Sequence, residues 1–183
     1  MAWRAILSFW FEEIERKFHF NATPAFDAEI RTRFEDMAVE QAAIAAKGSH
    51  PWSVEAESLL ALAITLDQFP RNMYRGTPAM FEWDLYLLPL IKAGIKAGLD
   101  LKVPIERREF LYMPLMHSEA LKDQSQCVKL VDQRLDDEST LFHAKAHRKV
   151  IRKFGRFPHR NAILGRESTI EERQYMADGG YSP

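Results

Sequence analysis

The sequence predicts an all-α fold of about eight helices stacked as antiparallel hairpins. Three observations carry that prediction. Apolar residues recur at three- and four-residue spacing from one end of the chain to the other. The breaks between those runs hold residues that start or stop helices, such as Thr-Pro, Ser and Gly. No segment reads convincingly as a strand.

Ile6, Phe9, Trp10 and Ile14 form the stripe of a first helix. Thr23-Pro24 reads as N-cap and N1 of a second, because proline lacks an N–H that would be orphaned there anyway. Phe26, Ile30, Phe34 and Met37 continue it, and Gly48 suits its C′ position. Ser53 is expected to cap a third helix carrying Leu59, Leu60, Ala63 and Ile64 and ending near Phe69-Pro70. Thr77-Pro78 repeats the Thr-Pro start for a fourth, which runs toward Gly98 with Pro89 as a kink or break. A fifth opens at Pro104 and is interrupted at Met113-Pro114. Ser118 is expected to cap a sixth, with Leu121, Val128, Leu130, Val131 and Leu135 on its apolar side. The seventh runs from the acidic start at Glu138 to Phe154, closed by Gly155. Ser168-Thr169-Ile170-Glu171 reads as the capping box of a last helix that ends at Gly179-Gly180. No clean internal period appears.

With 183 residues, 46% hydrophobic and 28% charged, the chain suits one folded domain, 1–183, and excludes disorder. The formal net charge of -1 gives no overall field for nucleic acid. It hides an asymmetry: residues 1–60 hold 6 Lys+Arg against 10 Asp+Glu, whereas residues 141–173 hold 9 against 3. An anionic partner is therefore expected in the C-terminal third, against the plain alternative of a solvated basic helix face. Cys127 is the sole cysteine, which excludes an internal disulfide and a thiolate zinc cage and fits a cytoplasmic location. The apolar run Ala5 to Phe11 is too short to span a membrane and lacks a signal-peptide pattern. Nucleic acid is disfavoured as a partner, because Phe154 and Phe157 read as core anchors and not as stacking platforms.

Two stretches share one spelling. "LDQFPRNMYRG" and "FGRFPHRNAILGR" each contain Phe-Pro, then Arg-Asn, then Gly four residues after the Asn. Proline fixes φ, Asn tolerates turns and Gly frees the backbone, so each reads as a rigid turn that aims arginines. Arginine suits bidentate recognition of carboxylate or phosphate. The first turn offers Arg71 and Arg75, with Asp67, Gln68 and Asn72; the second offers Arg156, Arg160 and Arg166, with His159 and Asn161. The competing reading is architectural: these arginines cap helices and pair with acids of adjacent helices, as Asp67 with Arg160. In "FLYMPLMHSEALKDQ", Glu119 suits the first turn of a helix and Ser118 its cap, whereas His117 follows an apolar run and Tyr112 needs a hydroxyl partner if buried. His143 and His147 stand one helical turn apart, but the sequence lacks the Glu of the zinc-protease motif and places Lys145 between them, so no metal is expected. His147 shares a face with Ile151 and Phe154 and points inward.

These phrases resemble a bacterial family, domain of unknown function 924, grouped with tetratricopeptide-like helical proteins. The matching residues are "FWF" at 9–11, "FD" at 26–27, "LDQFPRNMYRG" at 66–76, "FLYMPLMHSE" at 110–119 and "HRKVIRKFGRFPHRNAILGREST" at 147–169. The resemblance covers nearly the whole chain. It implies a tetratricopeptide-like α-α superhelix and no established activity.

Each matched phrase falls at a helix end, so segments 67–76, 112–119 and 156–166 are expected to converge. In that pocket Arg71, Arg75, Arg156, Arg160 and Arg166 supply positive charge, oriented by Asp67, Gln68, Asn72 and Asn161, with Tyr112 lining it. His117, Glu119, His147 and His159 are the groups suited to proton transfer. Three readings follow: a site for a phosphate- or carboxylate-bearing small molecule, without cofactor; a scaffold that binds an acidic peptide; and buried Arg–Asp networks that only lock helix ends. The oligomeric state is not legible.

Overall fold

The computed structural model describes residues 2–20 and 23–182. Every regular element among them is helical. The chain forms two compact units, Met1–Pro114 and Leu115–Pro183.

In the first unit, α1 (Ala2–Ser8) passes directly into a π-helical turn, Phe9–Glu13. α2 (Pro24–Ala45) starts as the sequence indicates: Thr23 Oγ1 accepts the Phe26 amide at 3.2 Å and Pro24 takes the first helical position. Gly48, at φ +85°, follows its end. Ser53 does not cap the next helix. Its hydroxyl donates to the His50 carbonyl at 2.7 Å inside a short 3-10 turn, and α3 (Ala56–Ala63) begins three residues later.

The third helix also does not stop at Phe69-Pro70. α3 continues through a π turn, Ile64–Gln68, into α4 (Phe69–Met73), with helical backbone at each junction. The physical reason lies in the π register. Its wider bonding offset absorbs the N–H that Pro70 cannot supply, which an α-helical register would leave as a broken rung. Thr77 likewise precedes only a 3-10 turn, Pro78–Phe81; α5 (Asp84–Lys96) starts later and carries Pro89 in its interior. α6 (Glu109–His117) begins five residues after Pro104 and runs through Pro114 without interruption.

Aromatic rings build the core of this unit. Phe9 and Phe34 have centroids 4.9 Å apart, Phe34 and Phe69 5.1 Å, and Trp10 lies 5.8 Å from both Phe69 and Phe110. Such pairs add about 0.5–1.5 kcal/mol each beyond area burial. The Tyr112 hydroxyl, fully buried, donates to Asp100 Oδ2 at 2.6 Å.

The second unit is built on a helical hairpin, α7 (Leu121–Arg134) against α8 (Glu138–Phe154). Asp137 caps α8 by accepting the Ser139 and Thr140 amides at 2.9 and 3.1 Å, and Gly155, at φ +71°, ends it. Ser118 acts three residues ahead of the first residue of α7: its hydroxyl accepts the Ala120 amide and donates to Asp123. α9 (Ile170–Ala177) has its capping box one residue later than the sequence suggests, on Thr169 and Glu172 instead of Ser168 and Glu171. Val150, Ile151 and Phe157 form the core, with Phe154, Tyr175 and Tyr181 packed against it.

Gly94 of α5 abuts the buried side chain of Leu59, and a Cβ there would collide with Leu59 Cδ2. Gly94→Ala gains helix propensity of up to about 1 kcal/mol, but overpacking costs about 1–3 kcal/mol and prevails. Its urea midpoint should fall, and a Gly94→Ala variant that also carries Leu59→Ala should cost less than the two single changes summed.

Candidate functional site

Four arginines of the two shared spellings, Arg71, Arg75, Arg156 and Arg166, are engaged by carboxylates of their own unit. In Met1–Pro114, Arg71 grips Asp84 with both ends of its fork, at 2.9 and 2.7 Å, and also meets Asp67 Oδ1 at 3.1 Å. Asp67 is fully buried, and Gln68 donates to its other oxygen. Burial opposes the charge on Arg71, but Asp67 and Asp84 outweigh it and raise its pKa. Arg75 reaches back to Asp27 of α2 at 2.8 and 3.0 Å and to Asn72 Oδ1 at 3.0 Å. Asn72 in turn donates to the Gln68 carbonyl.

The second spelling makes a 3-10 turn, Pro158–Arg160, instead of a helix. Arg156 pairs in bidentate fashion with Glu172 at 2.6 and 2.8 Å. Glu172 is almost fully buried and simultaneously accepts the Thr169 amide of its own capping box at 2.8 Å. Led by the bonds from Arg156, these contacts hold its carboxyl down at about 2. Arg166 pairs in the same way with Glu119, at 2.7 and 2.9 Å, and donates to Asn161 Oδ1. Glu119 Oε1 also accepts the Phe157 amide at 2.8 Å. Burial pushes Glu119 upward, but Arg166 and the Phe157 amide prevail and keep it below the usual carboxylate range. Glu119 is therefore a charged brace at neutral pH and not a proton donor.

Inside this frame sits an imidazole cluster. The His147 ring centroid is 6.3 Å from that of His117 and 5.5 Å from Phe157; Phe157 is 5.4 Å from His159 and carries the Arg160 guanidinium over its face at 4.4 Å. Arg160 also donates to the His117 carbonyl at 3.0 Å. His147 is 3% exposed. Its Nδ1 lies 2.8 Å from the His143 carbonyl, an acceptor only, so Nδ1 carries the proton and Nε2 a bare lone pair. Neither His147 Nε2 nor His159 Nδ1 has a hydrogen-bond partner among the described residues. Burial first, then His117 and Arg160, push His147 down to about 3; burial and Arg160 push His159 down to about 4. Both rings are neutral at pH 7. Tyr181 connects the cluster to the C-terminal segment, its hydroxyl 2.8 Å from His143 Nδ1 and 3.3 Å from His147 Nδ1.

Of the expected site residues, the structure thus gathers His117, Glu119, His147, His159, Arg160, Asn161 and Arg166 in the second unit, with Arg156 on the adjoining clamp. Asp67, Gln68, Arg71, Asn72, Arg75 and Tyr112 belong to the first unit, where they form their own network and the Tyr112–Asp100 bond. Cys127 is buried and its thiol is pushed up to about 12, so it is not a nucleophile. No group of three or more His, Cys, Asp or Glu among the described residues is placed to hold a metal ion. No described helix is long and apolar enough to cross a membrane.

Sequence reasoning missed the partners. Asp27, Asp84 and Glu172 each lie in the first turn of a helix, where the helix dipole already accounts for an acid and conceals a second role. Gln124 is also missed: buried on α7, it donates to the Met116 and Ser118 carbonyls at 2.5 and 2.7 Å and fixes the turn that bears His117 and Glu119. Nothing in the sequence marks it.

The family model for bacterial proteins of unknown function, DUF924, matches residues 6–180. The chain belongs to the DUF924 family. A solved structure of a protein of unknown function from Agrobacterium tumefaciens is similar to this DUF924 chain, with 38% identity and a TM-score of 0.89, over 97% of this chain and 98% of that one. No curated protein matches it.

Two outcomes follow for this DUF924 protein. Charged hydrogen bonds of this kind contribute about 1.5–3 kcal/mol, so Glu119→Gln should lower unfolding free energy by about that amount, with Arg166→Gln nearly non-additive in a double-mutant cycle. The histidines give a pH signature. Their folded pKa values lie below the unfolded value of 6.5, so from about pH 6.5 downward the unfolded chain binds protons that the folded chain refuses, and stability falls. His19 and His50, lowered chiefly by burial, act in the same sense. Denaturation between pH 7.5 and 5 should show a loss on the order of a few kcal/mol, smaller in His147→Asn.

Proposed function

We propose that the cluster of His117, His147, His159 and Arg160 binds a small molecule bearing a phosphate or carboxylate group. One observation supports this above the others: two buried imidazole nitrogens without protein partners lie in a cluster with a guanidinium. A buried polar atom left unsatisfied costs about 1–3 kcal/mol, and a ligand oxygen recovers that cost. The Arg160 charge attracts the anion, and His147 Nε2, an acceptor, takes a hydrogen from a ligand hydroxyl or from a protonated oxyanion. His117 and His159 are each partly exposed and form the accessible edge. Pairing with an anion raises the pKa of both depressed imidazoles, so binding is coupled to proton uptake.

A second reading is favoured by the bidentate pairs. Arg71, Arg75, Arg156 and Arg166 act as architectural braces that hold the frame, and only the histidine cluster and Arg160 meet a ligand.

Thermal unfolding in inorganic phosphate, glycerol phosphate or malate tests the proposal. A ligand of the folded state raises the melting temperature by mass action, by about 2.7 kcal/mol at a hundred times Kd. The shift should grow as pH falls from 7 to 5.5. It should vanish in His147→Asn, whose amide keeps the bond to the His143 carbonyl but lacks Nε2. If none of the three anions shifts the wild type, or the variant responds equally, the reading is wrong.

A further inference from the structure

A groove of about 480 Å³ runs along α8 in the unit Leu115–Pro183; none of His117, His147, His159 and Arg160 lines it, although its Tyr181 touches His147. Lys145, Lys149 and Lys153 line it, four residues apart and therefore on one ridge of the helix. Phe142, Phe154, Tyr175 and Tyr181 supply aromatic lining, and Phe142 is 63% exposed. Lys153 Nζ rests 4.8 Å from the Phe154 centroid and 5.3 Å from Tyr175. None of the three lysines takes part in an ion pair with a described residue. Like charges one turn apart repel by about 0.2–0.5 kcal/mol per pair, so the ridge stores a repulsion that an acidic partner relieves.

We propose that this groove docks an acidic peptide segment of a partner protein, with carboxylates facing Lys145 and Lys149 and an aromatic or branched apolar side chain lodged among Phe142, Tyr175 and Tyr181. Charge complementarity chooses the sign of the partner. The aromatic trough chooses the class: a protruding peptide side chain fills a concave apolar site, whereas an anionic lipid surface or a nucleic-acid backbone engages the lysines and leaves the trough empty. The internal carboxylates of the peptide, not its chain terminus, are the recognition elements. This surface and the proposed anion site are lined by different residues, with Tyr181 between them.

The test is selection of a displayed random dodecapeptide library on the full chain. Wild-type protein should enrich sequences in which Asp or Glu flank Phe, Leu or Ile. A synthetic peptide from that pool should bind with marked salt dependence and lose about tenfold or more in affinity, 1.4 kcal/mol per decade, to the Lys145→Glu, Lys149→Glu double variant. Phe142→Ser should also weaken it. Both lysines are exposed, and circular dichroism of the double variant checks that it is folded. No enrichment, enrichment without acidic residues, or binding indifferent to the charge reversal overturns the proposal. So does charge-dependent binding to phosphatidylserine vesicles with no peptide selected.

Discussion

Two carboxylates, Glu119 and Glu172, hold the C-terminal unit in its shape. Each receives both prongs of a guanidinium and also a backbone amide, from Phe157 in one case and Thr169 in the other. The first contact joins the start of the α7 hairpin to the turn after α8; the second joins that same turn to α9. Removing one partner from such a pair leaves the other's charge and the backbone amide it braced without their bonds. The 155–169 segment has almost no regular structure of its own, so its path depends on these pairs. The imidazole cluster is a consequence: once Glu119 fixes the Phe157 amide, the Phe157 ring lies between His147, His159 and Arg160.

The shared spelling, Phe-Pro-Arg-Asn at 69–72 and Phe-Pro-His-Arg-Asn at 157–161, shows how little a short run of residues decides. At 69–72 it continues a helix, because the preceding π turn accommodates the proline. At 157–161 it follows Gly155, whose left-handed backbone has already ended α8, and the spelling, with His159 inserted, forms a 3-10 turn. At 71 the arginine grips Asp84 with both ends of its fork, whereas Arg160 lies over the Phe157 ring and donates to the His117 carbonyl, and the bidentate grips of the second segment fall to the flanking Arg156 and Arg166. The spelling repeats neither the backbone shape nor the bonding of its own arginine.

The charged groups divide accordingly. Four arginines are neutralised within the protein and stiffen it. Arg160 lies beside neutral imidazoles, one of which has a bare acceptor nitrogen at full burial. The lysines of α8 carry their charge outward beside the exposed Phe142 and the half-buried Phe154, Tyr175 and Tyr181. A guanidinium suits the first task because its fork matches a carboxylate, whereas an ammonium on a flexible stem stays hydrated and remains available at the surface.

Local signals in the sequence determined the all-helical class, the Thr23-Pro24 and Asp137 starts, and the Gly48, Gly98 and Gly155 stops, because capping is settled within a few residues of chain. They also marked the arginine- and histidine-bearing segments and the inward face of His147. They did not determine that helices run through Pro70 and Pro114, nor that the last capping box sits on Thr169, since rival local choices differ by about 1 kcal/mol and packing overrides them. The partners Asp27, Asp84 and Glu172, and the two imidazole nitrogens without bonds, were decided by tertiary structure alone. Each depends on where a residue distant along the chain arrives, and bidentate pairing is a matter of ångströms that spacing in a sequence does not encode.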